Sequence, residues 1–337
     1  MQRLQQLTEW LQCQFPETTF ELAPASADAS FRRYFRATFA TGGDDGKGYT
    51  RIVMDAPPQH ENCLPFLHVG KLFEAAGTHV PHIYAQDLSQ GFLLLSDLGN
   101  TTYLQAINPD NARELYGAAT DALIRIQLAS REGELPPYDE ALLMREMRLF
   151  PEWYIARHLN YTLDTTQSAK LETVFQRIIQ NNLAQPRVYV HRDYHSRNLM
   201  VTEPNPGIID FQDAVYGPIT YDLASLFKDA YIRWDEEQII DWLIRYWEKA
   251  RKAGLPVHQD FADLYRDYEW MGVQRHLKVL GIFARLYHRD GKEGYLKDMP
   301  LVMDYLRRAC VRYIDLKPLL NLLDVLEAKS PEIGFTF

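Results

Sequence analysis

The chain has 337 residues, 46% hydrophobic and 24% charged, a globular balance large enough for one big domain or two lobes. Its formal net charge of -9 repels nucleic acid and anionic membrane, so neither is an expected partner, although a local basic pocket for phosphate is compatible with it. Cys13, Cys63 and Cys310 are odd in number, far apart and form no CxxC, which argues for a reducing compartment and against zinc or a disulfide framework. The opening MQRLQQLTEWLQ lacks a signal-peptide core, and apolar runs such as 92–95 are far too short to span a bilayer; the expectation is a soluble cytoplasmic protein.

Leu4, Leu7 and Leu11 stand at helical spacing and predict a short amphipathic helix at the start. FELAPAS, FRRYFRATFA and YTRIVMDAP read as strands, the second and third joined by a hairpin tip at TGGDDGKG. That tip matches a Walker loop only loosely, since Thr41 stands where Gly is needed and Gly48 where Ser or Thr is needed. Leu64, Leu67, Leu72 and Phe73, followed by Gly77, predict a helix over 63–76 with a C-terminal stop. HVPHIYAQD and GFLLLSDLG read as two further strands. Past Gly99 amphipathic segments dominate: 112–128, 139–158, 168–182, 236–253, 261–287 and 299–326. The exception is RVYVHRDYHSRNLMVTEPNPGIIDFQDA, which reads as two short strands around a polar loop. The expected class is α+β and bilobal: a small antiparallel β-rich lobe over 1–97, then a large helical lobe over 98–337, joined near 96–100.

The strongest chemical signal is HRDYHSRN at 191–198, followed by IIDF at 208–211. Phosphoryl transfer from a nucleotide needs a carboxylate to orient the attacking hydroxyl and Mg²⁺ to neutralise phosphate charge. HxDxxxxN after an apolar strand puts a carboxylate and an amide oxygen on one loop, and Asp210 on the next strand can complete an oxygen-ligand site for Mg²⁺ with phosphate oxygens. A second HRD at 288–290 is a control: the position five beyond Asp290 is Tyr295, not Asn, and the triplet reads as a helix end.

At these residues the chain resembles the aminoglycoside phosphotransferase family, within the protein-kinase-like fold, over nearly its whole length. The shared features are a phosphate loop (26–36), a helix before HVP, a hinge (LLLSDLG), the HxDxxxxN loop, IIDF and GPITYDLASL. The resemblance implies that Asp193 is the catalytic carboxylate, that Asn198 and Asp210 hold Mg²⁺, and that ATP is the donor. It implies adenine contacts near Ser96 and Leu98, phosphate contacts in the loop carrying Ser30, Phe31, Arg32 and Arg33, and structural roles for His191 and for Asp222, which braces the catalytic loop. More narrowly, ASFRRYFRAT, VMDAPP, LFPEWYIARHL, HRDYHSRNLM and IDFQDAVYGPITYDLASL are similar to segments of the anomeric amino-sugar kinases. Those enzymes phosphorylate the C1 hydroxyl of N-acetylmuramate and N-acetylglucosamine in peptidoglycan recycling.

The family's strand lysine has no counterpart: Met54 falls at its position and His68 near that of its helix glutamate. Losing both partners is coherent, because an unpaired buried glutamate is costly. Arg32, Arg33 or Arg197 is expected to supply the missing charge, since a guanidinium can clamp phosphate bidentately. On the substrate side, Trp153, Tyr154, Glu269, Trp270, Gln274 and Arg275 offer aromatic faces and polar groups suited to a sugar, and a positive residue suits the lactyl carboxylate of N-acetylmuramate; aromatics at helical spacing also serve as core. Rival readings are an aminoglycoside or choline kinase, which net charge does not exclude, a protein kinase, disfavoured by the lack of DFG and APE, and an inactive nucleotide-binding module. The expected state is a monomer acting on a small amino sugar and ATP.

Overall fold

The structure, a computed structural model, describes residues 2–27, 31–42 and 48–328. Ser30 and most of the predicted hairpin tip therefore lie outside the described residues. In chain order the elements are α1 (Gln2–Gln14), β1 (Phe20–Ala27), β2 (Arg33–Phe39), β3 (Tyr49–Asp55), α2 (Leu64–Ala75), β4 (Ile83–Asp87), β5 (Phe92–Ser96), α3 (Tyr103–Ala106), α4 (Ala112–Leu128), α5 (Glu140–Leu149), a π-helical segment (Phe150–His158) and α6 (Thr165–Leu183). There follow β6 (Arg187–Val190), β7 (Leu199–Met200), β8 (Gly207–Ile208), β9 (Val215–Pro218), α7 (Tyr221–Phe227), α8 (Glu236–Lys252), α9 (Phe261–Asp290), α10 (Met299–Arg312) and α11 (Lys317–Glu327). No helix among the described residues is long and apolar enough to cross a membrane. The chain divides into two compact units, residues 1–102 with 199–213, and residues 103–198 with 214–337.

In the first unit an antiparallel sheet runs in the order β1-β2-β3-β5-β4. Side chains alternate across a strand, so Phe35, Ala37 and Phe39 of β2 share a face with Val53 of β3 and with Phe92 and Leu94 of β5. Helix α1 covers that face with Leu7 and Leu11, both fully buried, each worth roughly 1.5–3 kcal/mol of transfer free energy. Leu4, expected on the same stripe, is 41% exposed at the helix start. The next residue of β3, Met54, therefore points to the opposite face, where it is buried.

Two features of this unit escape a chain-order reading. Asp55 ends β3 with a fully buried carboxylate, held by Arg3 from α1 (Nε to Oδ1 2.7 Å) and by Arg33, its partner in the β2–β3 register. The segment 199–213, which the sequence partition at 97/98 assigned to the helical part, packs here instead. β7 and β8 form a hairpin, the Ile208 N–H donates to the His79 carbonyl at 2.8 Å, and the Phe211 ring is buried against Phe66 and Phe73 of α2.

The second unit is mostly helical and centres on α9, which is buried on every side from Tyr268 to Gly281. Gly281 lets α9 approach the turn into the π-helical segment: a Cβ there would stand 2.4 Å from the Leu149 carbonyl carbon. Two predicted helices are each interrupted. The expected helix over 139–158 turns π-helical at Phe150 because Pro151 has no N–H to continue the α ladder. The expected helix over 299–326 breaks at Tyr313, whose backbone is extended, and restarts with Pro318 in the first turn of α11, where its missing N–H costs nothing. The region around the polar loop holds four short strands rather than two, with β6 pairing β9 (Val190 to Val215).

Candidate active site

The loop after β6 is pinned along its backbone. Asp222, in the first turn of α7, accepts from the His191 N–H at 2.7 Å and the Arg192 N–H at 3.0 Å. Burial pushes the Asp222 carboxyl up to about 7, against the lowering effect of those two donors. His191, fully buried, accepts the Asp193 N–H on Nδ1 at 3.2 Å, which places its ring proton on Nε2. Arg192 adopts φ 75°, a left-handed conformation that L-residues visit at a cost. Asp229 accepts the Ser196 N–H at 2.9 Å, and the Tyr194 hydroxyl donates to the Ala119 carbonyl at 2.8 Å. The Asn198 amide donates its NH₂ to the Asp193 carbonyl at 3.0 Å, which assigns its nitrogen end to the loop.

All of this leaves the Asp193 side chain unspent. Among the described residues no hydrogen bond reaches its half-buried carboxylate. Burial opposes its ionisation, but the positive groups around it, Lys278 foremost and then His195, Arg275 and Arg192, outweigh burial and hold it at about 2. Lys278 and Arg192 belong to a buried network centred on Glu146 of α5. Arg192 donates to Glu146 at 2.5 Å, Lys278 lies 3.1 Å from it, and Gln274 Nε2 donates at 3.1 Å; Tyr138 also hydrogen-bonds it. Lys278→Met is expected to raise the Asp193 pKa, because removing a cation disfavours the charged carboxylate. The acid limb of kcat/KM then moves upward by about one pH unit, and an unmoved pH profile would detach Lys278 from Asp193.

Most of the residues expected on the substrate side are buried. Tyr154 is stacked between Phe150 and His158, and Trp270 is 3% exposed against the Tyr313 ring; both pack as core, a correction that follows from helical spacing serving burial. Glu269 is likewise buried, paired with Lys228 at 3.3 Å and Arg312 at 2.6 Å, so it serves a charge network rather than a ligand. Gln274 is spent largely on Glu146, Trp153 is half-buried, and Arg275 is 4% exposed.

In the first unit the hinge strand β5 ends at Ser96, whose N–H donates to the His82 carbonyl at 2.8 Å and whose hydroxyl accepts the His82 N–H at 2.9 Å; Leu98 is 9% exposed. Between them Asp97 takes two bonds from Arg36 of β2, at 2.5 and 3.0 Å, and accepts the Gly99 N–H at 2.9 Å. Sequence reasoning missed this brace, since its partners are 61 positions apart and meet only through the β2–β3–β5 register. The arginines expected near phosphate divide. Arg33 is committed to Asp55, and Arg197 lies on the Tyr231 ring, 3.6 Å from its centroid. Arg32 donates to Glu61 at 3.1 Å, both side chains being 12% exposed, and Phe31 is exposed, with its N–H on the same glutamate. Met54 is core and His68 exposed, so the usual lysine–glutamate pair has no counterpart at those positions.

Asp210 follows β8 at φ 64°, its Oδ1 accepting from Gln212 Nε2 at 2.7 Å, and is anchored by the buried Phe211. In chain order Asn198 directly precedes β7, and Asp210 follows β8 after Ile209. An amide and a carboxylate are hard oxygen donors suited to Mg²⁺. Among the described residues no group of three or more His, Cys, Asp or Glu could hold a metal ion.

The model of the phosphotransferase enzyme family matches residues 21–261, and the chain belongs to that family. It is 49% identical, over the whole of both chains, to the N-acetylmuramate/N-acetylglucosamine kinase of Neisseria meningitidis serogroup B. It is 51% identical to the enzyme of the same description from Pseudomonas aeruginosa, over 95% of this chain and 96% of that one. The fold is kinase-like: ADP-bound aminoglycoside phosphotransferase APH(2'')-Ib superposes with a TM-score of 0.56 at 14% identity, over 89% of this chain and 97% of that one. The protein is thus a phosphotransferase with an alcohol group as acceptor.

Proposed function

We propose that this protein is an ATP-dependent sugar kinase that phosphorylates the anomeric hydroxyl of N-acetylmuramate and N-acetylglucosamine, serving peptidoglycan recycling in the cytoplasm. The observation that carries the chemistry is Asp193: an ionised carboxylate on a loop pinned by Asp222, His191 and Asp229, with its own oxygens uncommitted. The choice of sugar rests on the relatives' names and their identity over the full chain.

Asp193 orients the C1 hydroxyl toward the γ-phosphorus. A carboxylate held at about 2 is a weak base, so it suits a loose transition state in which the proton leaves late, and the anomeric hydroxyl is more acidic than an ordinary alcohol. Asn198 and Asp210 are the residues that would hold Mg²⁺, which when bound supplies neutralisation of phosphate charge. Ser96 and Leu98 contact the adenine, on a hinge held by Arg36 and Asp97. Arg32 supplies the phosphate-facing charge in place of the absent lysine and is positioned by Glu61.

That last assignment separates two neighbouring arginines. Arg32→Ala is expected to lower kcat/KM for ATP by about 10–100-fold and, because it leaves the largely buried Glu61 without its cation, to cost about 1–3 kcal/mol in urea unfolding. Arg33→Ala is expected to leave nucleotide kinetics near wild type and to cost about 1–2 kcal/mol in urea unfolding, because Asp55 keeps Arg3 alone. Equal kinetic effects from both would remove Arg32 from the phosphate site.

ADP release measured with N-acetylmuramate, N-acetylglucosamine, an aminoglycoside and choline tests the whole reading. Turnover is expected with the two amino sugars and is expected to stop with EDTA. Turnover with choline or the aminoglycoside alone would overturn the assignment of the acceptor.

A further inference from the structure

A buried cation is normally closed by a carboxylate, since an uncompensated charge in a protein interior is strongly disfavoured. Arg192 and Lys278, beside Asp193, obey this by closing on Glu146, and elsewhere in the same unit Lys228 closes on Glu269. Arg275 does not. It is 4% exposed, yet among the described residues no carboxylate pairs with it and no hydrogen bond reaches its Nη1. It lies on α9 between Gln274 and Lys278, which both reach Glu146 at 3.1 Å, and Glu146 in turn holds Arg192, the residue before Asp193, at 2.5 Å; this stretch of α9 therefore packs beside the catalytic loop, within the same unit.

We propose that Arg275 is a specificity residue that receives the carboxylate of the acceptor, the lactyl ether group that N-acetylmuramate carries and N-acetylglucosamine lacks. The inference rests on the sugar-kinase reading above. A guanidinium presents a planar fork that matches a carboxylate with two parallel hydrogen bonds, and the match is strongest where water is excluded. A kinase serving neutral sugars alone has no use for a buried cation left open, whereas an anionic acceptor brings the missing partner with it. The competing occupant is the transferring phosphoryl group, which every acceptor shares. The two are told apart by whether the effect depends on the sugar.

The test is steady-state kinetics of wild type, Arg275→Gln and Arg275→Lys with both sugars at saturating ATP, together with the methyl ester of N-acetylmuramate. In Arg275→Gln the ratio of kcat/KM for N-acetylmuramate over N-acetylglucosamine is expected to fall by about 10–100-fold, chiefly through KM, with Arg275→Lys intermediate. The ratio cancels any change common to both acceptors, including a change at Asp193. The ester measures the same contact without any variant: wild type should lose a comparable factor on esterification, and Arg275→Gln should lose little. An unchanged ratio, or an ester as good as the acid in wild type, would overturn the proposal while leaving the sugar-kinase reading intact. A wild type inactive on both sugars would remove that reading, and this inference with it.

Discussion

Asp193→Asn is expected to reduce kcat by about three orders of magnitude or more, equivalent to roughly 4 kcal/mol of lost transition-state stabilisation, while the KM for ATP stays within a few-fold of wild type. The substitution is nearly isosteric. The loop's own bonds run through the backbone of residue 193, its N–H to His191 and its carbonyl to Asn198, so the loop keeps its shape when the carboxylate is lost. What disappears is the ionised acceptor that aligns the hydroxyl. Steady-state kinetics and a thermal melt read the two halves of this expectation. Turnover within tenfold of wild type would remove Asp193 from the reaction.

The second large effect is expected at Asp210. Asp210→Asn should lower kcat by about three orders of magnitude and shift the residual activity to higher Mg²⁺ concentration, since an amide is a weaker ligand than a carboxylate. Asn is the informative substitution because the backbone there is left-handed, at φ 64°, a region Asn tolerates far better than Ala. Phe211, buried against Phe66 and Phe73, holds the segment independently of the carboxylate, so folding should survive. A Mg²⁺ titration of kcat checks it; a variant with unaltered Mg²⁺ dependence would take Asp210 out of the metal-binding set.

Much of the first unit was legible because it is a half-buried antiparallel sheet. Alternation in FRRYFRATF and the apolar spacing of Leu7 and Leu11 follow from strand and helix periods alone. The candidate loop was legible as a family signature for a different reason: HRDYHSRN and IIDF are short and local, so they can be read without knowing any distant contact. What stayed hidden depends on contacts between distant positions. Arg36 meets Asp97, and Arg33 meets Asp55, only once strand register is known. Glu146 sits on an amphipathic helix, where a glutamate ordinarily faces water, yet it is 5% exposed and gathers Arg192, Lys278 and Gln274. For the same reason charged positions on α9 gave no sign of which was structural. Glu269 and Lys278 are neutralised by partners from other helices, and Arg275 is not. Pro151 and Pro318 mark the helix interruptions, but the apolar spacing continues across each proline and so masks the break.

The most direct measurement of the account is the ³¹P NMR spectrum of the product formed from ATP and N-acetylmuramate. A single sugar phosphate coupled to the anomeric proton, in the α configuration, is the predicted result. A phosphate on C6, or transfer to water alone, would contradict the placement of the C1 hydroxyl at Asp193.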